Sequence, residues 1–179
     1  MENLEKPRLS SILNTPLHKS LMSRRTEREF SKEKPDIGLI LSCLEVANSA
    51  PSGANLQPWH FTLIQDTQIK KQIRQEAEKI EYDFYHKRAP REWLDDLQFL
   101  GTNHHKPFLE DAPFLITVFY CPVIQNEGEQ KKTYFPIEST GLATGFLLTA
   151  LHEAGLSCLT YTPKPSCFLN SIYLRPKTD

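Results

Sequence analysis

Ala50-Pro51-Ser52-Gly53-Ala54-Asn55-Leu56-Gln57-Pro58-Trp59 separates two stretches of different hydrophobic period. Before it, Ile37, Ile40, Leu41, Leu44 and Ala47 recur at helical spacing behind Asp36, a residue type that caps helix N-termini. After it, Trp59, Phe61 and Leu63 alternate with His60, Thr62 and Ile64, the period of a strand running to Gln65. Pro51 has no N–H and disfavours helical geometry at Ala50, so the helix is expected to end there. Gly53 lets the backbone approach a neighbour closely, while Ser52 and Asn55 offer short polar groups. A helix feeding a proline-pinned polar loop into a strand suits a fixed ligand-holding edge. The same composition also serves a plain helix-to-strand turn.

Upstream lies Arg24-Arg25-Thr26-Glu27-Arg28-Glu29-Phe30, with three arginines within five residues. Such a patch is either a solvated charge run or a set of guanidinium forks suited to a phosphate and a ring carbonyl. Residues 1–20 are polar, carry Pro7 and Pro16, and read as a loosely held arm before a domain spanning 21–179. Downstream, Ile69, Ile73, Ala77, Ile80 and Phe84 mark a helix from Gln68 to about Lys87. Glu81 and Tyr85 each follow that stripe by one position, so they share the edge of its buried face.

Pro90 breaks this helix, and Trp93 to Leu100 reads as a short helical turn ending at Gly101. The segment 102–107 is polar. Its adjacent His104 and His105 have no matching ligand spacing after them, so no metal is expected. Phe114 to Cys121 has the composition of a buried central strand, and 122–136 that of a polar connection. Glu138 to Ala154 reads as a helix rich in small residues (Ser139, Gly141, Ala143, Gly145, Ala150), which permits close packing on another helix, across a dimer axis included. Gly155 ends it. Leu156 to Tyr161 reads as a third strand with Thr160-Tyr161-Thr162 at its end, and Cys167 to Leu174 adds a further helical turn or two.

A chain of 179 residues suits one domain that buries roughly two-thirds of its unfolded surface. The net charge of -1 provides no electrostatic attraction to nucleic acid or an anionic membrane. No apolar run reaches the length of a membrane span, and Met1 to Glu5 lacks the basic and apolar regions of a signal peptide. The scattered Cys43, Cys121, Cys158 and Cys167 read as reduced thiols of a cytoplasmic protein.

From about Leu21 onward the chain resembles the FMN-dependent nitroreductase superfamily, and within it the iodotyrosine deiodinase branch. Arg24-Arg25-Thr26-Glu27-Arg28, the loop Ala50 to Trp59 and Gly141-Leu142-Ala143-Thr144-Gly145 carry the superfamily likeness. The branch is carried by Glu81, by Tyr85 four residues on, and by Lys106 a further 21 residues on. The resemblance implies an α+β fold, a mixed and mostly antiparallel sheet flanked by helices, in a homodimer with FMN at the subunit interface. It implies that Arg24, Arg25, Thr26 and Arg28 hold FMN, that Pro51, Ser52 and Gly53 approach it from the partner, and that Thr160, Tyr161 and Thr162 lie beside it. Thr160 would be the catalytic hydroxyl near the flavin ring. Ala54 would present its N–H to a substrate phenolate, and Glu81, Tyr85 and Lys106 would close over the amino-acid end of a small-molecule substrate. The family's C-terminal strand and tail are expected to be missing, since this chain stops at Asp179.

Three readings follow. The first is FMN-dependent reductive dehalogenation of a halotyrosine. The second is a general NAD(P)H-dependent nitro- or quinone reductase that needs the arginines but not Glu81, Tyr85 and Lys106. The third is a non-catalytic flavin- or amino-acid-binding protein.

Overall fold

The computed structural model describes residues 15–126 and 128–173. Most of the expected N-terminal arm, and the segment around Arg175-Pro176, lie outside them. Where the arm was expected to continue, Pro16–Ser23 forms helix α1 instead. Pro16 occupies its first turn and Thr15 Oγ1 accepts the His18 N–H, so a polar stretch acquires a defined start. Asp36 caps α2 (Ile37–Asn48) by accepting from Gly38 N at 2.6 Å, and Asp66 caps α3 (Thr67–Asp83) by accepting from Gln68 N and Ile69 N. A wider π turn, Phe84–Arg88, continues α3 and closes with the Ala89 N–H bonded to Phe84 O.

Strand β1 (Trp59–Ile64) pairs antiparallel with β2 (Leu115–Tyr120), setting Trp59 opposite Tyr120 and Leu63 opposite Ile116. Helix α6 (Pro136–Glu153) crosses one face of this ribbon beside α2. Phe61, Leu63 and Ile116 pack there against Ile40, Cys43, Ala47, Leu147 and Leu151. On the other face, Ile64 and Leu115 meet Ile73 and Ala77 of α3, with Leu109 of α5 (Phe108–Asp111) beside them. The period-two alternation of β1 thus sends its side chains into separate clusters on the two faces, and Ala50, Trp59 and Ala143 form a third, smaller cluster next to Phe61. Lys70, though buried, is satisfied by the carbonyls of Glu110 and Ala112, both at 2.8 Å.

Three expectations need correction. Leu156 to Tyr161 is not a strand: only Cys158 pairs, in a parallel bridge to Thr26 reinforced by Glu27 N–H to Cys158 O. β2 is not buried: Leu115 to Phe119 are half-exposed and Tyr120 is exposed, since among the described residues its sheet has only two strands. The connection 122–136 contains a hairpin, β3 (Val123–Asn126) with β4 (Glu129–Lys132), turning at Gly128 with φ +89°. β4 is Glu-Gln-Lys-Lys and wholly exposed, so it offered no hydrophobic alternation to read.

The apolar stripe of α2 is wider than its core requires. Ile40, Cys43 and Ala47 are buried, yet Ile37 and Leu41 are exposed. Helix α6 behaves likewise, burying Ala143, Leu147 and Leu151 while leaving Ile137, Leu142 and Phe146 exposed. Helices α4 (Arg91–Gln98) and α7 (Phe168–Ile172) complete the described fold.

Candidate active site

The opening loop is held in an unusual backbone conformation. Ala54, Asn55 and Gln57 take φ of 49°, 52° and 47°, the left-handed region that non-glycine residues adopt at a cost. Ser52 Oγ accepts the Gln57 N–H at 2.9 Å and clips the turn shut, while Trp59 Nε1 donates to Asn48 Oδ1 at 2.9 Å. Gly53 is required by space: a Cβ there would meet Tyr134 Cβ at 2.7 Å and Tyr134 O at 2.9 Å. The Ala54 N–H makes no hydrogen bond among the described residues. Beside the loop, an open cleft of about 390 Å³ is bordered by Leu44, Asn48, Gln57, Trp59, His60 and Phe61.

The arginine motif leaves the end of α1 and meets the 158–162 segment at the Thr26–Cys158 bridge. Arg25 anchors one guanidinium nitrogen on the carbonyls of Met22 and Arg24, at 2.9 and 2.8 Å. Among the described residues no carboxylate pairs with Arg24, Arg25 or Arg28. Three uncompensated cations in one short segment suit a polyanionic group. Thr160 and Thr162, just beyond the bridge, are exposed, and neither hydroxyl makes a hydrogen bond among the described residues.

A second constellation forms at the end of α3. Lys106 Nζ lies 3.1 Å from Glu81 Oε2, and both side chains are largely withdrawn from water, at 7% and 13% exposure. Tyr161 donates its hydroxyl to Glu81 Oε1 at 3.0 Å. The Tyr85 hydroxyl does not reach Glu81 and pairs instead with Thr102 Oγ1 at 2.9 Å, while Lys106 Nζ stands 5.4 Å from the Tyr85 ring centre. Glu78, one turn before Glu81, accepts the backbone N–H of Lys106 at 2.8 Å and the Arg74 Nε–H at 3.0 Å. Burial raises the Glu78 carboxyl, but the Lys106 amide and the Arg74 guanidinium outweigh it and leave it below the ordinary range.

The structure therefore brings Glu81, Tyr85 and Lys106 together, and separately sets the arginine motif beside Thr160 and Thr162. Tyr161 turns its side chain into the first group, although its neighbours belong with the second. Glu78 went unremarked in the sequence, where its place three residues before Glu81 on one helix was the available signal. His104 and His105 pack with Tyr82 and His86 along an open groove. Partial loss of hydration, then the nearby imidazoles of His105 and His86, hold His104 below the usual histidine range. Among the described residues no group of His, Cys, Asp and Glu side chains could hold a metal ion. No described helix is long and apolar enough to cross a membrane.

Clusters of buried residues on both faces of a short antiparallel ribbon, a strained loop at the end of α2 and a guanidinium cluster beside the 158–162 segment form a two-faced α+β scaffold. The Nitroreductase family model matches residues 21–162, and the chain belongs to that family. Within it, the chain is 50% identical over 157 residues to an iodotyrosine deiodinase of Haliscomenobacter hydrossis, covering 87% of this chain and 71% of that protein. An iodotyrosine deiodinase of Thermotoga neapolitana is 43% identical over 142 residues, covering 78% of this chain and 70% of that one. A crystal structure of oxidized iodotyrosine deiodinase bound to FMN and 3-iodo-L-tyrosine superposes with a TM-score of 0.77 at 37% identity, covering 90% of this chain and 82% of that one.

Proposed function

We propose that this protein is an FMN-dependent reductive dehalogenase of halotyrosines, with Glu81 and Lys106 as the clasp for the substrate's amino-acid end. The observation that carries the reading is the pair itself: opposite charges 3.1 Å apart on separate elements and shielded from water. An α-amino acid presents an ammonium and a carboxylate on one carbon, the complement of such a pair. Glu81 accepts the ammonium, Lys106 takes the carboxylate, and Tyr85 adds a neutral hydroxyl. A nitroaromatic or quinone has no charges that would repay burying these two groups. The identity to deiodinases supports the same choice.

The chain's residues also fit FMN. Arg24, Arg25, Thr26 and Arg28 would hold its phosphate, ribityl chain and ring carbonyls, with Pro51, Ser52 and Gly53 and the exposed Thr160 and Thr162 completing the site. Bound there, FMN supplies the electrons with which a carbon–halogen bond is replaced by carbon–hydrogen. That replacement takes up an electron pair and a proton and releases halide. The Ala54 N–H would donate to a substrate phenolate oxygen, and the exposed Thr160 hydroxyl would offer a hydrogen bond to the flavin ring. A cytoplasmic setting fits the four free cysteines.

To test the reading, FMN-loaded protein is reduced anaerobically with dithionite and given 3-iodotyrosine or a nitroaromatic. Release of iodide and tyrosine is expected. Reduction of the nitro group with no iodide would favour the general reductase.

The site is proposed to be shared by two subunits. Ile37 and Leu41 of α2 and Ile137, Leu142 and Phe146 of α6 remain uncovered in one chain. Among the described residues a Cβ at Gly141 or Gly145 meets nothing within 4 Å, so no described neighbour explains the small residues there. A partner seated on α6 would explain them. Gly145→Leu is therefore expected to leave each chain folded, judged by circular dichroism, while shifting sedimentation from dimer to monomer and lowering flavin content. A variant that stays a flavin-loaded dimer would remove α6 from the interface.

A further inference from the structure

Glu81 is engaged from two sides, by Lys106 at Oε2 and by Tyr161 at Oε1. The Tyr161 ring is firmly seated. It meets Phe108 edge-on at 5.6 Å between centroids and packs on the cluster of Ile64, Ile73, Ala77 and Leu109. Lys106 Nζ stands 5.7 Å from the centre of that ring. Burial, and after it the adjacent Glu81 carboxylate, push the phenol far above its usual range, so it remains protonated and donates toward Glu81. A carboxylate oxygen can accept more than one hydrogen bond, so the Tyr161 bond leaves Oε1 able to receive another donor and Oε2 able to exchange its partner.

We infer that Tyr161 is a positioning residue of the substrate clasp. Its hydroxyl fixes the Glu81 carboxylate so that a substrate ammonium, entering as Lys106 turns to the substrate carboxylate, meets an acceptor already aimed. The inference rests on Glu81 being the ammonium acceptor. Exposure alternates along Thr160, Tyr161 and Thr162, with only Tyr161 half-buried. A single short segment thus reaches the clasp with one side chain and the proposed flavin side with its two neighbours.

The test is Tyr161→Phe, which keeps the ring and its packing and removes only the donor. Dissociation constants of the FMN-loaded protein for 3-iodotyrosine and 2-iodophenol are measured by calorimetry. The variant is expected to bind 3-iodotyrosine about ten-fold more weakly, the scale of a lost hydrogen bond to a charge, and 2-iodophenol within about two-fold of the unaltered protein. In a Glu81→Ala background the same change is expected to cost 3-iodotyrosine nothing further, because the effect passes through Glu81. Equal losses for both ligands would assign Tyr161 to packing alone. Unchanged or tighter binding of 3-iodotyrosine would mean that it competes with the ammonium or is idle. A selective loss in Glu81→Ala without one in Tyr161→Phe overturns this inference alone, whereas no selective loss in Glu81→Ala overturns the clasp as well.

Discussion

Glu81→Gln is expected to raise the dissociation constant for 3-iodotyrosine on the order of a hundred-fold while barely changing that for 2-iodophenol. Leaving one member of a buried ion pair without its partner costs about 3–5 kcal/mol, which alone would correspond to roughly a hundred-fold to several thousand-fold in affinity. The free variant also loses the 3.1 Å attraction between Glu81 and Lys106, which offsets part of that cost and places the expectation near the lower figure. Glutamine keeps the shape of the side chain and an oxygen for the Tyr161 hydroxyl, so the change is confined to charge. 2-Iodophenol has the ring and the halogen but no zwitterion, and therefore reports on stacking and the phenolate contact alone. Both dissociation constants can be read from quenching of flavin fluorescence in the oxidised protein. Equal losses, or none for 3-iodotyrosine, would make the cluster structural and favour a general reductase.

Gly53→Ala is expected to damage the loop out of proportion to its single added methyl. The new Cβ would lie 2.7 Å from Tyr134 Cβ, 2.9 Å from Tyr134 O and 3.3 Å from Tyr134 C. Two of these three atoms are backbone and cannot swing away as the end of a flexible side chain would. Nor can the loop readily yield, since Ala54, Asn55 and Gln57 already occupy the left-handed region and Ser52 Oγ ties the turn to Gln57 N. Overpacking of this kind costs about 1–3 kcal/mol. For a chain of this size each kcal/mol lowers the melting temperature by roughly 2–4 °C, so a fall of several degrees is expected in calorimetry, with weaker retention of FMN on dialysis. Unaltered melting and flavin content would show that the Tyr134 segment is free to retreat.

Both variants act where local sequence signals and tertiary placement meet, and the two contribute differently. Asp36 caps the helix expected of it, and Asp66, unremarked in the sequence, caps the next by the same means, because a cap is settled within three residues by the side chain's reach to free N–H groups. The alternation of Trp59 to Ile64 set the two faces of β1 for the same local reason. The spacing of Glu81, Tyr85 and Lys106 was visible as a resemblance, and the fold does bring those residues into one cluster.

Other features depend on segments far apart in the chain. Leu156 to Tyr161 has strand composition, yet whether it pairs depends on a neighbour, and the described chain supplies only Thr26. Tyr85 lies one helical turn from Glu81, yet its hydroxyl goes to Thr102 because the loop following Gly101 brings that hydroxyl within reach. Gly53 could be read as permitting close approach, but that Tyr134 makes the approach required follows from how the segment after β4 returns to the loop. The bond from Tyr161 to Glu81 spans 80 residues and exists because both side chains enter the polar edge of the core under α3. Composition, caps and periodicity act over one or two turns of chain. Charge pairing inside a site depends on distance in space and on the exclusion of water, and both are set only when the elements pack.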